Sequence, residues 1–220
     1  DHRDLHSSPT RRSSDPHQYQ FALYGRENGL GNLAISAITQ DQTGYLWVGT
    51  QNGLFRYDGR TFEERGYRGG MPNDPIVALH PGPDGTVLAA TRNRLYRSTF
   101  SGFEEISFGR KVQFLTRDVL DSGGGRIYAA TSAGLFELTP NPDSKPWSVR
   151  VLPLPIRGQP VRAVVADPSG GLWVAGDFGL CNWNRGRATL YGAQEGVPDS
   201  HWDSLLVDAE GGLWVRSVSH

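Results

Sequence analysis

The sequence is poor in cysteine and in long hydrophobic runs, and its charges nearly cancel. One cysteine among 220 residues, Cys181, excludes an internal disulfide. No apolar stretch approaches the roughly 18 residues that a membrane-spanning helix needs. The formal net charge of −1 argues against a nucleic-acid or anionic-membrane binder that works by bulk electrostatics. What the chain does have is 28 glycines and 14 prolines, which is typical of short strands joined by tight turns.

Residues 1–15 differ in composition from the rest of the chain. The stretch RDLHSSPTRRSSD, from Arg3 to Asp15, closely resembles the conceptual translation of a common sequencing-adapter oligonucleotide. One interpretation is an assembly artefact, and the other is a disordered polar leader that cannot build a core. Both leave residues 16–220 as the folded part of the chain.

One motif recurs five times in that part. The clearest copy, DQTGYLWVGTQNGLFRY, begins at Asp41, and its apolar pair Leu46-Trp47 anchors the alignment. The second member of the pair recurs at intervals of roughly 40 to 45 residues, a period that indicates a repeat architecture. The equivalents of Trp47 are Leu88, Tyr128, Trp173 and Trp214. The approximate repeats are 33–66, 75–108, 112–152, 160–192 and 203–220.

The first repeat predicts four short antiparallel strands at 34–38, 45–50, 54–57 and 61–65. Turn signals separate them, because Asp and Asn accept backbone hydrogen bonds and Gly supplies a positive φ. The middle strands are apolar on both faces, so each small sheet must be covered on both sides. Stacking such sheets radially gives a β-propeller, with a linear β-solenoid as the alternative.

The predicted fold is therefore all-β, a β-propeller of four-stranded antiparallel blades that is incomplete. It comprises an orphan outer strand near Tyr19–Tyr24, four blades and half of a fifth. An unfinished ring leaves blade faces bare. Roughly 400 Å² of exposed apolar surface would forgo about 10 kcal/mol of burial, which rivals the whole stability of a typical domain. We therefore expect this chain alone to associate with itself.

The pattern DxxGxLWxGTxxGLxRY resembles the two-component regulator propeller repeat. The resemblance covers essentially residues 19–217 and is best in the first repeat, whereas Leu88 and Arg94 depart from it in the second. It implies the N-terminal sensor part of a bacterial hybrid histidine kinase or diguanylate cyclase, on the periplasmic or extracellular side of the inner membrane. It further implies a homodimeric full-length receptor, an unknown small-molecule or saccharide ligand, no cofactor, and no enzymatic activity in this chain.

The residues that recur from repeat to repeat predict structural roles. Asp-x-x-Gly turns could bind calcium, but capping of the turn explains them, and the tryptophans are expected to wedge between blades. No histidine pair in the repeats has metal-ligand spacing, and Cys181 stands where the other repeats place aromatic residues. The residues assigned to the repeat are Asp41, Gly44, Trp47, Gly53, Asp167, Trp173, Gly179, Asp208 and Trp214.

Ligand binding is expected at the loops that enter each innermost strand, because these loops bring polar side chains towards the propeller axis. Their arginines would suit an anionic ligand. The candidates are Arg26, Asn32, Asn73, Asp74, Arg110, Arg157, Arg162, His201, Trp202 and Asp203. Two other functions stay open: a propeller enzyme resembling streptogramin lyase, which would need a metal beside His201, and a stand-alone binding propeller.

Overall fold

The computed structural model describes residues 22–108, 115–141, 147–156, 158–198 and 200–217. Strands are numbered in chain order. Blade 1 consists of β1 (Ile35–Gln40), β2 (Leu46–Thr50), β3 (Gly53–Tyr57) and β4 (Phe62–Glu64). Blade 2 consists of β5 (Ile76–Pro81), β6 (Val87–Thr91), β7 (Leu95–Ser98) and β8 (Phe103–Ile106). Blade 3 consists of β9 (Thr116–Asp121), β10 (Ile127–Thr131), β11 (Gly134–Thr139) and β12 (Ser148–Val151).

Blade 4 consists of β13 (Val161–Ala166), β14 (Leu172–Gly176), β15 (Gly179–Asn184) and β16 (Arg187–Tyr191). The half-blade consists of β17 (Trp202–Val207) and β18 (Leu213–Ser217). Two short 3-10 helices, Arg26–Asn28 and Ala193–Glu195, precede blade 1 and the half-blade. Among the described residues no helix has the length and hydropathy needed to cross a membrane.

Each blade is an antiparallel meander in chain order, and the fifth sheet has two strands. This confirms the predicted propeller of four blades and half of a fifth. The strands predicted for the first repeat differ from β1 to β4 by two residues at most. Of the predicted orphan strand, residues 19–21 lie outside the described residues, and Ala22 to Tyr24 form no strand.

A carboxylate organises the turn between β1 and β2. Oδ1 of Asp41 accepts the backbone N–H groups of Thr43 and Tyr45 at 2.9 and 3.1 Å. Oδ2 accepts the indole N–H of Trp47 at 2.7 Å, so the turn also orients the first large side chain of β2. Gly44 completes the turn with a φ of 92°, which an L side chain rarely adopts.

The blades stack through the anchor residues. Trp47 is 6% exposed and packs against Val87, Ala89 and Tyr96 of blade 2. Tyr128 of blade 3 packs in the same way against Val174 and Cys181 of blade 4. We call the face that carries these anchors the forward face of a blade, because it contacts the next blade along the chain.

The forward face of β2 also has a receiving position, where a small residue meets the first residue of the next blade. A Cβ built on Gly49 would lie 2.5 Å from Cγ2 of Ile76, so only a residue without a side chain fits there. Alanine takes this position in the next three blades, and Ala175 packs against Trp202. The equivalents of Gly49 are Ala90, Ala130, Ala175 and, in the half-blade, Arg216.

Two blade faces stay open. On the backward face of blade 1, Ile35 and Ile38 are 55% and 63% exposed, whereas Ile76, the equivalent of Ile35, is 1% exposed. On the forward face of the half-blade, Leu206 and Trp214 are 61% and 64% exposed. The same positions are therefore buried or partly buried where a neighbouring blade is present, and mostly exposed where none of the described residues covers them.

Candidate functional site

Every first strand carries a β-bulge at its second residue. In β1 the pairing passes from Ile35 to Ala37, so Ser36 is left without a partner across the ladder, and the shift recurs in the other four sheets. Bulges redirect side chains and are frequent beside functional sites. The first strands of consecutive blades contact one another, so the bulge residues lie side by side around the propeller axis. The bulge residues are Ser36, Val77, Arg117, Arg162 and Asp203.

Three bulge residues line one pocket of about 440 Å³, which we call the inner pocket. Arg117 and the turn residue Arg92 supply its positive charge. The hydroxyl of Thr116 is buried in its wall and has no hydrogen-bond partner among the described residues. Such a group is costly unless something bonds to it, but the hydroxyl is covered by the wall, so the polar groups that the pocket presents to a ligand are the two exposed guanidinium groups. The remaining lining residues are Ser36, Gln51, Ile76, Val77 and Leu115.

An ion-pair cluster continues the ring across blade 4 and the half-blade. Asp177 accepts from Nε of Arg162 at 2.6 Å and lies 3.1 Å from Nδ1 of His201. The hydrogen bond from Arg162, together with the contact from His201, lowers the pKa of the Asp177 carboxyl despite its partial burial. Next to this cluster, Arg216 forms two hydrogen bonds to Asp203 at 3.2 and 3.1 Å. The charges here are already paired, so this side of the ring is less available to an ionic ligand than the inner pocket.

The structure thus brings Arg162, His201 and Asp203 together. It places Asp74 in an adjoining pocket of about 480 Å³ beside Arg92. It buries Trp202 at 7% exposure against Ala163 and Leu180, so this ring is a packing residue and not a surface platform.

The other sequence candidates lie apart from these groups. Oδ1 of Asn32 accepts the N–H of Ala34 at 2.8 Å, and Asn73 approaches the turn at Gly53. Arg26 is exposed in the first 3-10 helix. Arg110 and Arg157 lie outside the described residues.

Sequence reasoning missed Arg92, Arg117, Thr116 and Asp177. Arg92 and Asp177 both directly follow the second strand of a blade, at the position of Gln51. Comparing that turn position across the repeats would have found them. Arg117 and Thr116 follow the predicted loop at 110–111, but only the bulge decides which of the two side chains is redirected.

Metal and nucleophile chemistry have little support in the described residues. No group of three or more His, Cys, Asp or Glu side chains among them could hold a metal ion. The carboxylates of the Asp-x-x-Gly turns are engaged instead: Asp208 accepts the indole N–H of Trp214 at 2.7 Å, and Asp167 accepts from Asn182 at 2.7 Å. Cys181 is fully buried, and burial raises the pKa of its thiol to about 11, so the nucleophilic thiolate is scarce at neutral pH.

Comparison with known proteins identifies the repeat. Residues 29–52, which include β1 and β2, match the family model described as two component regulator propeller. The chain carries a two component regulator propeller repeat. Among curated proteins, none matches the chain.

Solved structures share the fold of this propeller-repeat chain. The extracellular domain of a hybrid two component system from B. thetaiotaomicron aligns with a TM-score of 0.67 and 18% identity, over 83% of this chain and 26% of that one. Virginiamycin B lyase from Staphylococcus aureus aligns with a TM-score of 0.67 and 17% identity, over 84% of this chain and 64% of the lyase. The β-propeller domain of Cps50 from Myceliophteria thermophila aligns with a TM-score of 0.66 and 13% identity, over 84% and 62%. The chain thus spans about a quarter of the first of these proteins, and identities this low show a common fold only.

Proposed function

We propose that this chain is a non-catalytic, ligand-sensing or protein-interaction propeller from the extracytoplasmic part of a bacterial transmembrane signalling receptor. The receptor would act in two-component or cyclic-di-GMP signalling, as a homodimer. The observation that carries the proposal is the match of residues 29–52 to the two component regulator propeller repeat. The fold shared with the extracellular domain of a hybrid two component system supports it.

The inner pocket is the proposed sensing site. Arg92 and Arg117 suit a carboxylate, and the exposed amide of Gln51 suits the hydroxyl groups of a polar ligand such as a saccharide. A sensor transmits nothing unless its ligand prefers one signalling state, so binding here must change how the blades or the dimer are arranged. An acidic saccharide meets both chemical requirements of the pocket.

Titration calorimetry with galacturonate, and with galactose as its neutral counterpart, tests this assignment. We expect saturable binding of galacturonate that weakens at least about tenfold in Arg117→Gln and in Arg92→Gln, since each loses a charge-assisted hydrogen bond. Arg60→Gln, in an exposed turn of blade 1, is the matched control and should bind as the unsubstituted chain does. Equal binding by all variants, or no binding of either sugar, would refute the site.

A propeller lyase is the second candidate, favoured by the fold shared with virginiamycin B lyase and by the His201–Asp177 contact. It predicts turnover of virginiamycin B that depends on an added divalent metal and is lost in His201→Ala. Turnover that fails to appear with any divalent metal would remove this candidate.

A further inference from the structure

A second cavity lies between blades 3 and 4, at the opposite end of the blades from the inner pocket. Its volume is about 670 Å³. The turns before β10 and β14 and the turn between β15 and β16 form its rim, with Arg126, Asp167 and Arg185 among the lining residues. We call it the blade 3–4 cleft.

Substitutions within the repeat pattern give this cleft a different lining from that of the other blades. The corresponding cleft between blades 1 and 2 measures about 380 Å³ and holds the rings of Trp47 and Phe103, whose centroids lie 5.9 Å apart. The registers place Tyr128 at the position of Trp47 and Ala188 at that of Phe103. A smaller ring therefore stands on one wall, and the ring that Phe103 supplies in blade 2 is replaced by that of Trp183, the cross-strand partner of Ala188, where blade 2 has Ser98.

A buried carboxylate positions two guanidinium groups at the cleft. Glu137 is 7% exposed and accepts the hydroxyl of Tyr128 at 3.3 Å. It forms ion pairs with Arg126 at 3.4 Å and with Arg150, whose side chains remain 55% and 68% exposed. The guanidinium groups are therefore held on one side by Glu137 while their other N–H donors stay accessible.

Arg185 is the third arginine of the cleft and has an unusual backbone. Its φ is 48°, and it is the only non-glycine residue with positive φ among the described residues. With Gly186 it forms the turn between β15 and β16, where asparagine or glycine would be favoured. Strained residues of this kind concentrate at functional sites. No described carboxylate lies within ion-pair distance of Arg185, and the half-buried Trp183 lines the cleft beside it.

The lining contains three arginines and two carboxylates, Glu137 and Asp167, so its net charge is one positive charge. We propose that the blade 3–4 cleft binds a small organic anion whose carboxylate or phosphate meets Arg185 and Arg126 while its ring packs against Trp183. The site is separate from the inner pocket and does not depend on the function proposed above.

Calorimetry on the full chain with four probes tests the chemistry. Benzoate and phenyl phosphate carry a ring and an anion, benzyl alcohol carries the ring alone, and inorganic phosphate carries the anion alone. We expect saturable binding of benzoate or phenyl phosphate. The tighter binder of the two shows whether the cleft prefers a carboxylate or a phosphate. Benzyl alcohol and inorganic phosphate should each bind at least about fivefold more weakly. Equal binding of all four, or of none, would overturn the proposal.

Two variants test the location. Arg185→Gly removes the charge and suits the positive φ, so it should fold normally and weaken binding about tenfold. Ala188→Phe introduces the ring that Phe103 supplies in blade 2 and should abolish binding by filling the cleft. Arg60→Gln, in an exposed turn of blade 1, should bind the probes unchanged, which shows that the loss in Arg185→Gly is specific to the cleft. Undiminished binding in Arg185→Gly would overturn the assignment even if Ala188→Phe does not fold.

Discussion

At the scale of single residues, a carboxylate links the turn before the second strand to the large side chain on that strand in blade 1 and in the half-blade. Asp41 and Asp208 each accept backbone N–H groups of their own turn and the indole N–H of the tryptophan six residues later. In blade 4 the equivalent Asp167 accepts from Asn182, on the neighbouring strand, instead. In blade 1 and in the half-blade, the tryptophan on the second strand is therefore held through its ring nitrogen.

Asp41→Asn tests this bond through acid stability. Partial burial raises the pKa of Asp41, but hydrogen bonds from Thr43, Trp47 and Tyr45 outweigh it and bring the pKa below its usual value. A depressed pKa means that the carboxylate stabilises the fold above about pH 4, and that this contribution disappears as the pH falls through the folded-state pKa. We expect Asp41→Asn to unfold more easily at pH 7 by about 1–3 kcal/mol and to show a flatter acid limb. Urea denaturation at several pH values measures the free energy of unfolding of both proteins. If stability fell equally steeply with decreasing pH in the variant and in the unsubstituted chain, the prediction would be wrong.

The pKa of Asp118 is shifted upwards, in the opposite direction to that of Asp41. It bridges blades 3 and 4 by accepting the N–H of Val164 at 3.0 Å, together with that of Val119. Burial raises its pKa to about 6, even though these two hydrogen bonds lower it. Protonation of Asp118 therefore favours the fold, fully below about pH 4, and this contribution, on the order of 2 to 3 kcal/mol, is lost as the pH rises through about 6. NMR titration of its carboxyl carbon should give a midpoint near 6, and a midpoint below 4.5 would exclude the effect.

At the scale of elements, strands were predictable from sequence and bulges were not. The Asp-x-x-Gly and Asn-Gly turns fix where β1 to β3 begin and end, because these residues supply the hydrogen bonds and positive φ values that a hairpin needs. The bulge at Ser36 or Arg117 has no such marker, since it arises where a first strand meets its partner strand and the neighbouring blade. The rim loops could therefore be predicted as the region of a site, but not the side chains that line the inner pocket.

The burial of Trp202 is a second feature that could not be predicted from the sequence. Its neighbours His201 and Asp203 are polar, so the local sequence indicates a solvated loop. The receiving position at Ala175 belongs to the preceding blade, 27 residues earlier by number, and only the stacked arrangement reveals that Trp202 fills it.

Gly49→Ala tests how tightly the elements fit. A Cβ at Gly49 would approach Cβ of Ile76 to 2.8 Å, so blades 1 and 2 must move apart. We expect a loss of about 1–3 kcal/mol in the free energy of unfolding, as in other overpacked cores. Gly192→Ala is the matched control, because no atom lies within 4 Å of its added Cβ and its φ of −137° suits any residue. Similar unfolding free energies for the two variants would show that the interface yields easily.

At the scale of the whole molecule, the two open faces set how the chain behaves in solution. Ile38 on one face and Leu206 and Trp214 on the other are mostly exposed apolar side chains at positions that neighbouring blades otherwise cover. Contiguous exposed apolar surface of this kind promotes association.

We therefore expect concentration-dependent association of this chain in sedimentation velocity experiments. Ile38→Lys and Leu206→Lys should each weaken it, because a charged group would have to be desolvated at the contact. Tyr67→Lys, which removes an apolar side chain of similar exposure away from both open faces, should leave association unchanged. A monodisperse monomer that melts cooperatively would contradict the expectation.

Arg216 occupies the receiving position of the half-blade, where each complete blade has glycine or alanine. Gly49 admits Ile76, and Ala175 admits Trp202, but an arginine at the same position of the half-blade, held by Asp203, cannot admit the isoleucine or tryptophan of another copy without losing that ion pair. A blade moved or duplicated within the gene would therefore stack well only behind a blade that has a small residue at the receiving position. Among the described blades, only the half-blade lacks a small residue at the receiving position, so its forward face suits a different kind of neighbour from the one that Gly49 or Ala175 accepts.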